Sequence, residues 1–256
     1  MNLGFIFSPP EALLEITADT LVADIAAHYP RSIEVFERHG IDFCCGGRRA
    51  LGEACREHGA AVDAVAAEIA AAAALERPED RVFTDAPIGA LLDHIVSRYH
   101  TALREDLPLL GRLADKVSEV HGSRHPELRE LAEVYRELRD ELTPHLTTEE
   151  ERVFPAVRRL VEPGTAEADV QEALHALEEE HDRAGAALAR LRALSGGFAV
   201  PEDGCTTYRA LYEGLARFER ELHEHVHLEN NVLFPRVVSL QAKAEGRQGA
   251  TRLVRR

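Results

Sequence analysis

Two stretches of the sequence repeat the same arrangement of residues that can bind metal. Residues 145–155 read HLTTEEERVFP and residues 225–235 read HVHLENNVLFP, so both fit the pattern H-x-x-x-E-x-x-x-x-F-P. A histidine and a glutamate four positions apart lie on one face of a helix, where an imidazole and a carboxylate can bind the same cation. The repeat therefore predicts two ligand pairs, His145 with Glu149 and His225 with Glu229.

These pairs occupy positions where apolar side chains are expected. Core positions of a helix recur at steps of three and four residues, and these steps lead from Leu138 and Leu142 to His145 and Glu149. The same spacing places His181 on the core stripe of its own helix. A buried carboxylate is very unfavourable unless it is paired or binds metal. Two neutralising His–Glu pairs remain an alternative, but they explain neither His181 nor the repeat, so the sequence favours a metal site.

A ligand from the first long helix is less clearly marked. His100 lies on the flank of the apolar stripe, roughly 85° from its centre at about 100° per residue, and His94 lies nearly opposite the stripe. His100 is therefore the better candidate. The stripe itself consists of Ile88, Leu92, Ile95, Tyr99, Leu103 and Leu110.

The ligand types indicate which metal the site would bind. Imidazole and carboxylate together suit iron, zinc or manganese, and no thiolate is present to select a soft ion. Four histidines and two glutamates are more than one tetrahedral zinc needs, and two carboxylates can bridge two cations. We therefore expect two metal ions, with iron as the leading choice.

Two other metal motifs occur in the same helices. Residues 223–227 read HEHVH, which fits the H-E-x-x-H signature of zinc proteases. Its histidines, His223 and His227, lie roughly 110° and 150° from the core stripe, so we expect them to be exposed or to surround the ligands. Glu178 and His181 fit the ferritin-type E-x-x-H pattern, but that architecture needs further glutamates on the other helices.

The candidate ligands require four long helices to position them. Helical patterns run near 87–120, 126–161, 167–195 and 206–240, separated by the turn sequences HGSRHP, EPGT and SGGFAVPEDG. Long helices with short loops predict an antiparallel four-helix bundle in an all-α protein. The expected domains are a small helical domain with vicinal cysteines at 16–76, a linker at 77–86, the bundle at 87–240 and a basic, disordered tail at 241–256.

Composition restricts the classes of partner and compartment. A net charge of −15 over 256 residues argues against a nucleic-acid binder, which needs a basic face. No apolar run approaches the length of a membrane span, and the first residues lack the features of a signal peptide. We therefore expect a cytoplasmic protein whose thiols are reduced.

A second candidate site is the cysteine pair Cys44 and Cys45 in the sequence DFCCGG. The pair lies in a glycine-flanked loop before a helical segment that is expected to start at Arg48. A helix N-terminus and nearby arginines would lower a thiol pKa and favour the reactive thiolate. The alternative is a buried, unreactive pair, since free cysteine is often buried. Cys55 and Cys205 are expected to be structural.

These blocks together resemble a known family. The bundle resembles the hemerythrin-like domains, and HYPRSIEVFERHGI with DFCCGG resembles the small domain of the iron–sulfur cluster repair di-iron proteins, the Repair of Iron Centres family. The resemblance covers roughly residues 18–238. It implies the cysteine pair Cys44 and Cys45, and a two-iron centre with the following ligands: His100, His145, Glu149, His181, His225 and Glu229.

The resemblance also implies a function. It implies a non-haem di-iron protein that restores iron–sulfur clusters damaged by nitric oxide or oxidants, either by delivering iron or by processing nitric oxide. Its partners would be iron–sulfur proteins with damaged clusters and the gases nitric oxide and oxygen, and it leaves room for a homodimer. A sensor that binds gas without turnover and an enzyme that reduces nitric oxide both stay open. A pure oxygen carrier has no use for Cys44 and Cys45, which favours repair.

Overall fold

The computed structural model describes residues 14–75, 86–161 and 170–243. The chain forms two compact units, Met1–Val82 and Phe83–Arg256. Within the described ranges the regular structure is helical, apart from an isolated antiparallel bridge between Leu21 and Ala50. The predicted all-α fold is confirmed.

The first unit consists of short helices around a small apolar core. Gly40 ends the second helix with a left-handed φ of 67°, and its N–H donates to the carbonyl of Glu37. This is the usual helix stop that a glycine permits. The helices are α1 (Val22–His28), α2 (Ser32–His39), α3 (Leu51–Glu57) and α4 (Val62–Ala73). Their fully buried side chains include Val22, Ile25, Phe36, Leu51, Val65 and Ile69.

The second unit is the expected bundle of four long helices. The first packs against the second and fourth, and the second packs against the third. Short loops between successive helices favour the antiparallel order. The helices are α5 (Ile88–His94, Ile95–His100 and Thr101–His121), α6 (Glu127–Thr148, Glu149–Val153 and Phe154–Val161), α7 (Gln171–Leu194) and α8 (Thr206–His227 and Leu228–Leu233, continuing to 243).

Three of these helices contain a π-helical segment: Ile95–His100 in α5, Glu149–Val153 in α6 and Leu228–Leu233 in α8. A π-helix bonds i to i+5 and so inserts one residue into the helical repeat, often at a functional site. In α5 the step from Ile95 to His100 is five residues, and both side chains are fully buried. The placement of His100 on the flank is therefore wrong, because it assumed a regular α-helix.

The remaining expectations on organisation fall mostly outside the described ranges. Most of the predicted linker at 77–86 lies outside the described residues, and so does most of the predicted basic tail at 241–256. Residues 241–243, which the sequence assigned to the tail, continue helix α8. No helix in the described part of the chain is long and apolar enough to cross a membrane.

Candidate metal centre

All six predicted ligands meet at one level of the bundle. Helix α5 contributes His100 and α7 contributes His181, while α6 and α8 each contribute a His–Glu pair. Each of the six side chains is at most 4% exposed. The structure therefore brings together polar residues that are separated by up to 129 positions in the chain: His100, His145, Glu149, His181, His225 and Glu229.

The six residues form two overlapping groups that could each hold a metal ion. One group contains His100 and His225, the other contains His145 and His181, and both contain Glu149 and Glu229. In each group the ligand atoms lie within 4.8 Å of one another. The two glutamates are thus shared between two adjacent positions.

Each shared carboxylate directs one oxygen to each group. In Glu149, Oε2 lies 3.4 Å from His100 Nε2, and Oε1 lies 3.4 Å from His145 Nε2. In Glu229, Oε1 lies 3.1 Å from His225 Nε2, and Oε2 lies 3.2 Å from the Nε2 of His181. This is the arrangement that bridging carboxylates need between two cations.

The Nδ1 atoms of three candidate ligand histidines have hydrogen-bond partners. Glu150 Oε1 lies 2.9 Å from His100 Nδ1, and Glu180 Oε2 lies 2.6 Å from His145 Nδ1. The amide oxygen of Asn230 lies 2.8 Å from the Nδ1 of His181. Because these oxygens are acceptors, each Nδ1 carries the proton and donates it. Metal-binding histidines are oriented by contacts of this kind.

This assignment leaves lone pairs facing each other across the site. The Nε2 atoms of His145 and His181 are 3.2 Å apart, and both are unprotonated once Nδ1 is the donor. The four oxygens of Glu149 and Glu229 accept no hydrogen bond from any described residue. Buried polar atoms that lack partners are rare. Cations between the imidazole and carboxylate groups would satisfy all of these atoms, so the residues fit a two-metal centre.

The electrostatics of Glu149 and His100 lead to the same requirement, whereas His225 and His181 outweigh burial at Glu229 and hold the pKa of that carboxyl below its usual value. Burial raises the pKa of Glu149, and the negative charge of Glu229 raises it further. Burial also lowers the pKa of His100 to about 4, with a contribution from His225. Burial therefore disfavours the charged forms of these side chains. Bound cations would reverse this preference at Glu149, since nearby positive charge favours ionised glutamate.

The residues bonded to these Nδ1 atoms are further candidate functional residues, and the helix-stripe argument did not identify them. Glu150 follows the candidate ligand Glu149, Asn230 follows the candidate ligand Glu229, and Glu180 precedes the candidate ligand His181. The repeat contains a usable signal, because the position after the glutamate is polar in both copies. Glu180 also lines a surface cavity of about 290 Å³ that reaches His145.

We expect Glu180→Gln to weaken metal binding by about 10- to 100-fold, the usual effect of losing an outer carboxylate. The substitution removes the negative charge that holds the Nδ1 proton of His145 and orients its ring. Competition with a calibrated chelator would measure the change in Kd. Glu179→Gln is the matched control, because Glu179 lies on the same helix and its nearest ionic partner is the exposed His175. An equal effect in both variants would contradict the orienting role.

The zinc-protease motif does not form a site of its own. Neither His223 nor His227 belongs to the two ligand groups found among the described residues. His223 is partly exposed, whereas His227 is only 2% exposed and accepts a hydrogen bond from the Nδ2 of Asn231 at 3.1 Å. The angle of His227 from the core stripe suggested a more exposed side chain than the structure shows. Glu224, which would be the base of a protease, accepts a hydrogen bond from Tyr99.

The cysteine pair lies in a loop that is held by one carboxylate. Asp42 accepts hydrogen bonds from the N–H groups of Cys44, Cys45 and Gly46, at 2.9, 3.1 and 2.9 Å. A Cβ on Gly47 would lie 2.5 Å from the carbonyl oxygen of Phe43, so only glycine fits there. The loop therefore explains the sequence DFCCGG and places the two sulfur atoms 3.7 Å apart.

The sequence predicted a lowered thiol pKa for this pair, and this prediction is wrong for Cys44. The hydrogen bond with Cys45 and burial raise the pKa of Cys44, and the negative charge of Asp42 adds to the effect. Helix α3 begins at Leu51 rather than at Arg48, so its N-terminus is farther from the thiols than the sequence suggested. Cys44 is buried and Cys45 is partly exposed. The pair is thus accessible through Cys45, and Cys44 is held as a thiol.

Comparisons with known proteins identify both units. The family described as Hemerythrin HHE cation binding domain matches residues 91–237, and the Domain of Unknown function (DUF542) matches residues 18–73. The chain is 36% identical over 220 residues to the iron-sulfur cluster repair protein ScdA of Staphylococcus haemolyticus, which covers 86% of this chain and 98% of that protein. It is 34% identical over 221 residues to the iron-sulfur cluster repair protein YtfE of Escherichia coli O1:K1, with coverages of 86% and 97%.

The matches confirm the resemblance inferred from the residues. The bundle belongs to a cation-binding domain family, and its histidines and glutamates form groups able to hold metal. Both units are matched, and the alignments span nearly the full length of the relatives. This chain therefore belongs to the family of the iron-sulfur cluster repair proteins, with a hemerythrin-type cation-binding bundle as its larger unit.

Proposed function

We propose that this protein restores damaged iron–sulfur clusters in other proteins and that it does so with two iron ions bound in the bundle. The observation that carries the proposal is the pair of shared glutamates, Glu149 and Glu229, placed between two sets of histidines. The names of its relatives support the same reaction class, since both are iron-sulfur cluster repair proteins.

The ligand set supports two irons rather than one zinc. Two histidines and two shared carboxylates surround each position, which leaves room for a further small ligand at an ion that prefers more than four ligands. No cysteine belongs to either group among the described residues. Iron held by these residues would supply one-electron redox chemistry and a coordination position for a small ligand.

The protein's own residues would control access to that centre. Glu150, Glu180 and Asn230 fix the ring orientations, so that each Nε2 faces the interior. Apolar and aromatic packing excludes bulk water: Phe154 stacks on His100, and Phe234 stacks on His181. Full burial of both carboxylates favours small diatomic ligands over larger substrates.

The cysteine pair supports repair over simple gas binding. Thiols bind iron and attack oxidised sulfur, and the two sulfur atoms of Cys44 and Cys45 lie close together on a rigid loop. Partial exposure of Cys45 allows contact with an external cluster or iron ion. We assign this pair the reactive role, with Cys45 as the entering thiol and Cys44 as its buried neighbour.

Metal analysis and a repair assay test the proposal together. The purified full chain should contain about two irons, and it should restore the activity of an iron–sulfur dehydratase that nitric oxide has inactivated. Cys44→Ser with Cys45→Ser should abolish restoration while the iron content stays at the wild-type level. Glu149→Leu should lose at least one of the two irons, and it should no longer restore the dehydratase.

Other results would favour different conclusions. One zinc and no iron per chain would overturn the two-iron centre. Two irons with reversible binding of nitric oxide or oxygen, but no restoration of the dehydratase, would favour the sensor function. Catalytic consumption of nitric oxide without restoration would favour an enzyme that reduces nitric oxide.

A further inference from the structure

A second pair of reactive groups lies in the bundle, apart from the six ligands. Cys205 is the residue before helix α8, and His121 is the last residue of the Thr101–His121 segment of α5. His121 Nε2 lies 3.2 Å from Cys205 Sγ, although the two residues are 84 positions apart. Cys205 is exposed, whereas His121 is only 4% exposed. The expectation that Cys205 is merely structural did not anticipate this pairing.

The burial of His121 determines where its proton lies. Its other ring nitrogen, Nδ1, is buried and has no hydrogen-bond partner among the described residues. A buried N–H without an acceptor is less tolerable than a buried acceptor without a donor. The favoured tautomer therefore carries the proton on Nε2 and donates it to Cys205 Sγ. Donation to sulfur favours the thiolate, because hydrogen bonds to an ionised acceptor are the stronger ones.

The surroundings of the sulfur favour the same form. The backbone N–H groups of Tyr208 and Thr207, at the start of α8, lower the pKa of Cys205. This is the general effect of a helix N-terminus on a thiol. The imidazole ring of His121 also packs against the ring of Tyr208, with ring centroids 5.3 Å apart. The thiol therefore faces a histidine donor and a helix N-terminus.

Four charged or titratable side chains at this end of the bundle, Arg124, His125, Glu127 and Asp203, are paired with one another. Asp203 lies 3.0 Å from His125 Nε2 and 3.2 Å from Arg124. His125 Nδ1 also lies 3.3 Å from Glu127. The acidic side chain closest in sequence to Cys205 is thus paired with Arg124 and His125, which limits its repulsion of a thiolate. The Cys205 environment differs from that of Cys55, where burial raises the thiol pKa.

We propose that Cys205, assisted by His121, is a site of reversible modification by small disulfides such as oxidised glutathione. The thiol proton leaves to water, and Sγ attacks one sulfur of the disulfide. A new bond forms between Cys205 Sγ and that sulfur while the original S–S bond breaks, and its electron pair leaves on the second sulfur as a thiolate. The disulfide is the oxidant, and a mixed disulfide on Cys205 is the product. A free thiol reverses the reaction by the same exchange.

The pH dependence of alkylation tests the activated thiol without any substitution. The full chain is treated with limiting iodoacetamide across pH 5–10, and mass spectrometry quantifies labelling at each cysteine. We expect the midpoint for Cys205 to lie below the ordinary thiol value of about 8.5. In His121→Phe, which keeps an aromatic ring against Tyr208, labelling at pH 7 should fall about tenfold for each unit by which the pKa rises. A midpoint at or above the ordinary value in the wild type would overturn the proposal even if that variant failed to fold.

Exposure to oxidised glutathione tests the modification itself. We expect one adduct per chain at short times, located on Cys205, absent from Cys205→Ser and removed by dithiothreitol. An adduct that forms first on Cys45, or a rate at Cys205 that is unchanged in folded His121→Phe, would refute the assignment.

Discussion

Removal of the metal is expected to destabilise the bundle strongly. When the free metal concentration is about a thousand times Kd, bound metal adds roughly 4 kcal/mol to the free energy of unfolding, and chelation removes this contribution. The physical reason is local. Without cations, the Nε2 atoms of His145 and His181 face each other at 3.2 Å, and the oxygens of Glu149 and Glu229 have no hydrogen-bond donors among the described residues. Thermal unfolding with and without chelator measures the difference.

The control for metal removal is a variant that cannot form the centre. In Glu149→Leu with Glu229→Leu, the same chelator should leave the unfolding temperature unchanged, because both shared ligands are absent. Re-addition of metal to the chelated wild-type protein should restore its unfolding temperature in proportion to the metal bound. A wild-type protein whose unfolding is insensitive to chelator, at verified metal loss, would show that the six residues satisfy one another without cations.

Glu149→Leu is expected to change metal binding and metal-free stability in opposite directions. Loss of a shared ligand should reduce the metal content to one ion or none. The metal-free protein should become more stable by about 1–3 kcal/mol, because a buried polar group without partners is replaced by an apolar one of similar size. Elemental analysis and urea unfolding of the chelated protein give the two quantities.

The conservative variant separates charge from shape. Glu149→Gln retains a buried polar group of the same size, so it should lose metal but gain little stability in the metal-free form. Full metal content in Glu149→Leu would exclude a bridging role for this residue. A loss of stability in metal-free Glu149→Leu would mean that the carboxyl group has a structural partner of its own.

The placement of the candidate ligands was predicted correctly where local spacing carries the information. His145 with Glu149, and His225 with Glu229, are four residues apart, so any helix places each pair on one face. Their position on an apolar stripe then indicated burial, and the structure buries all four. His181 followed from the same stripe argument. These predictions needed only the periodicity of the α-helix.

The same periodicity failed where the helix is not an α-helix. His100 was placed on a flank because the angular reasoning assumed about 100° per residue throughout, but the π-helical segment Ile95–His100 turns it fully inward. Similar segments begin at Glu149 and at Leu228. Such a segment is selected by packing between helices rather than by the propensity of a few residues, so a single sequence does not reveal it.

By itself, the sequence determined the all-α architecture, the face on which each His–Glu pair lies and the glycine-flanked cysteine loop, because these follow from contacts among neighbouring residues. Only the tertiary structure decided how the two glutamates share their oxygens between two sites and that Glu150 and Glu180 bond candidate ligands on other helices. It also decided that the hydrogen bond with Cys45, burial and Asp42 raise the pKa of Cys44. The tertiary structure also brings Cys205 within hydrogen-bond distance of His121, which is 84 positions away in the chain. Each of these depends on distances between distant segments and on the exclusion of water, which are set when the helices pack.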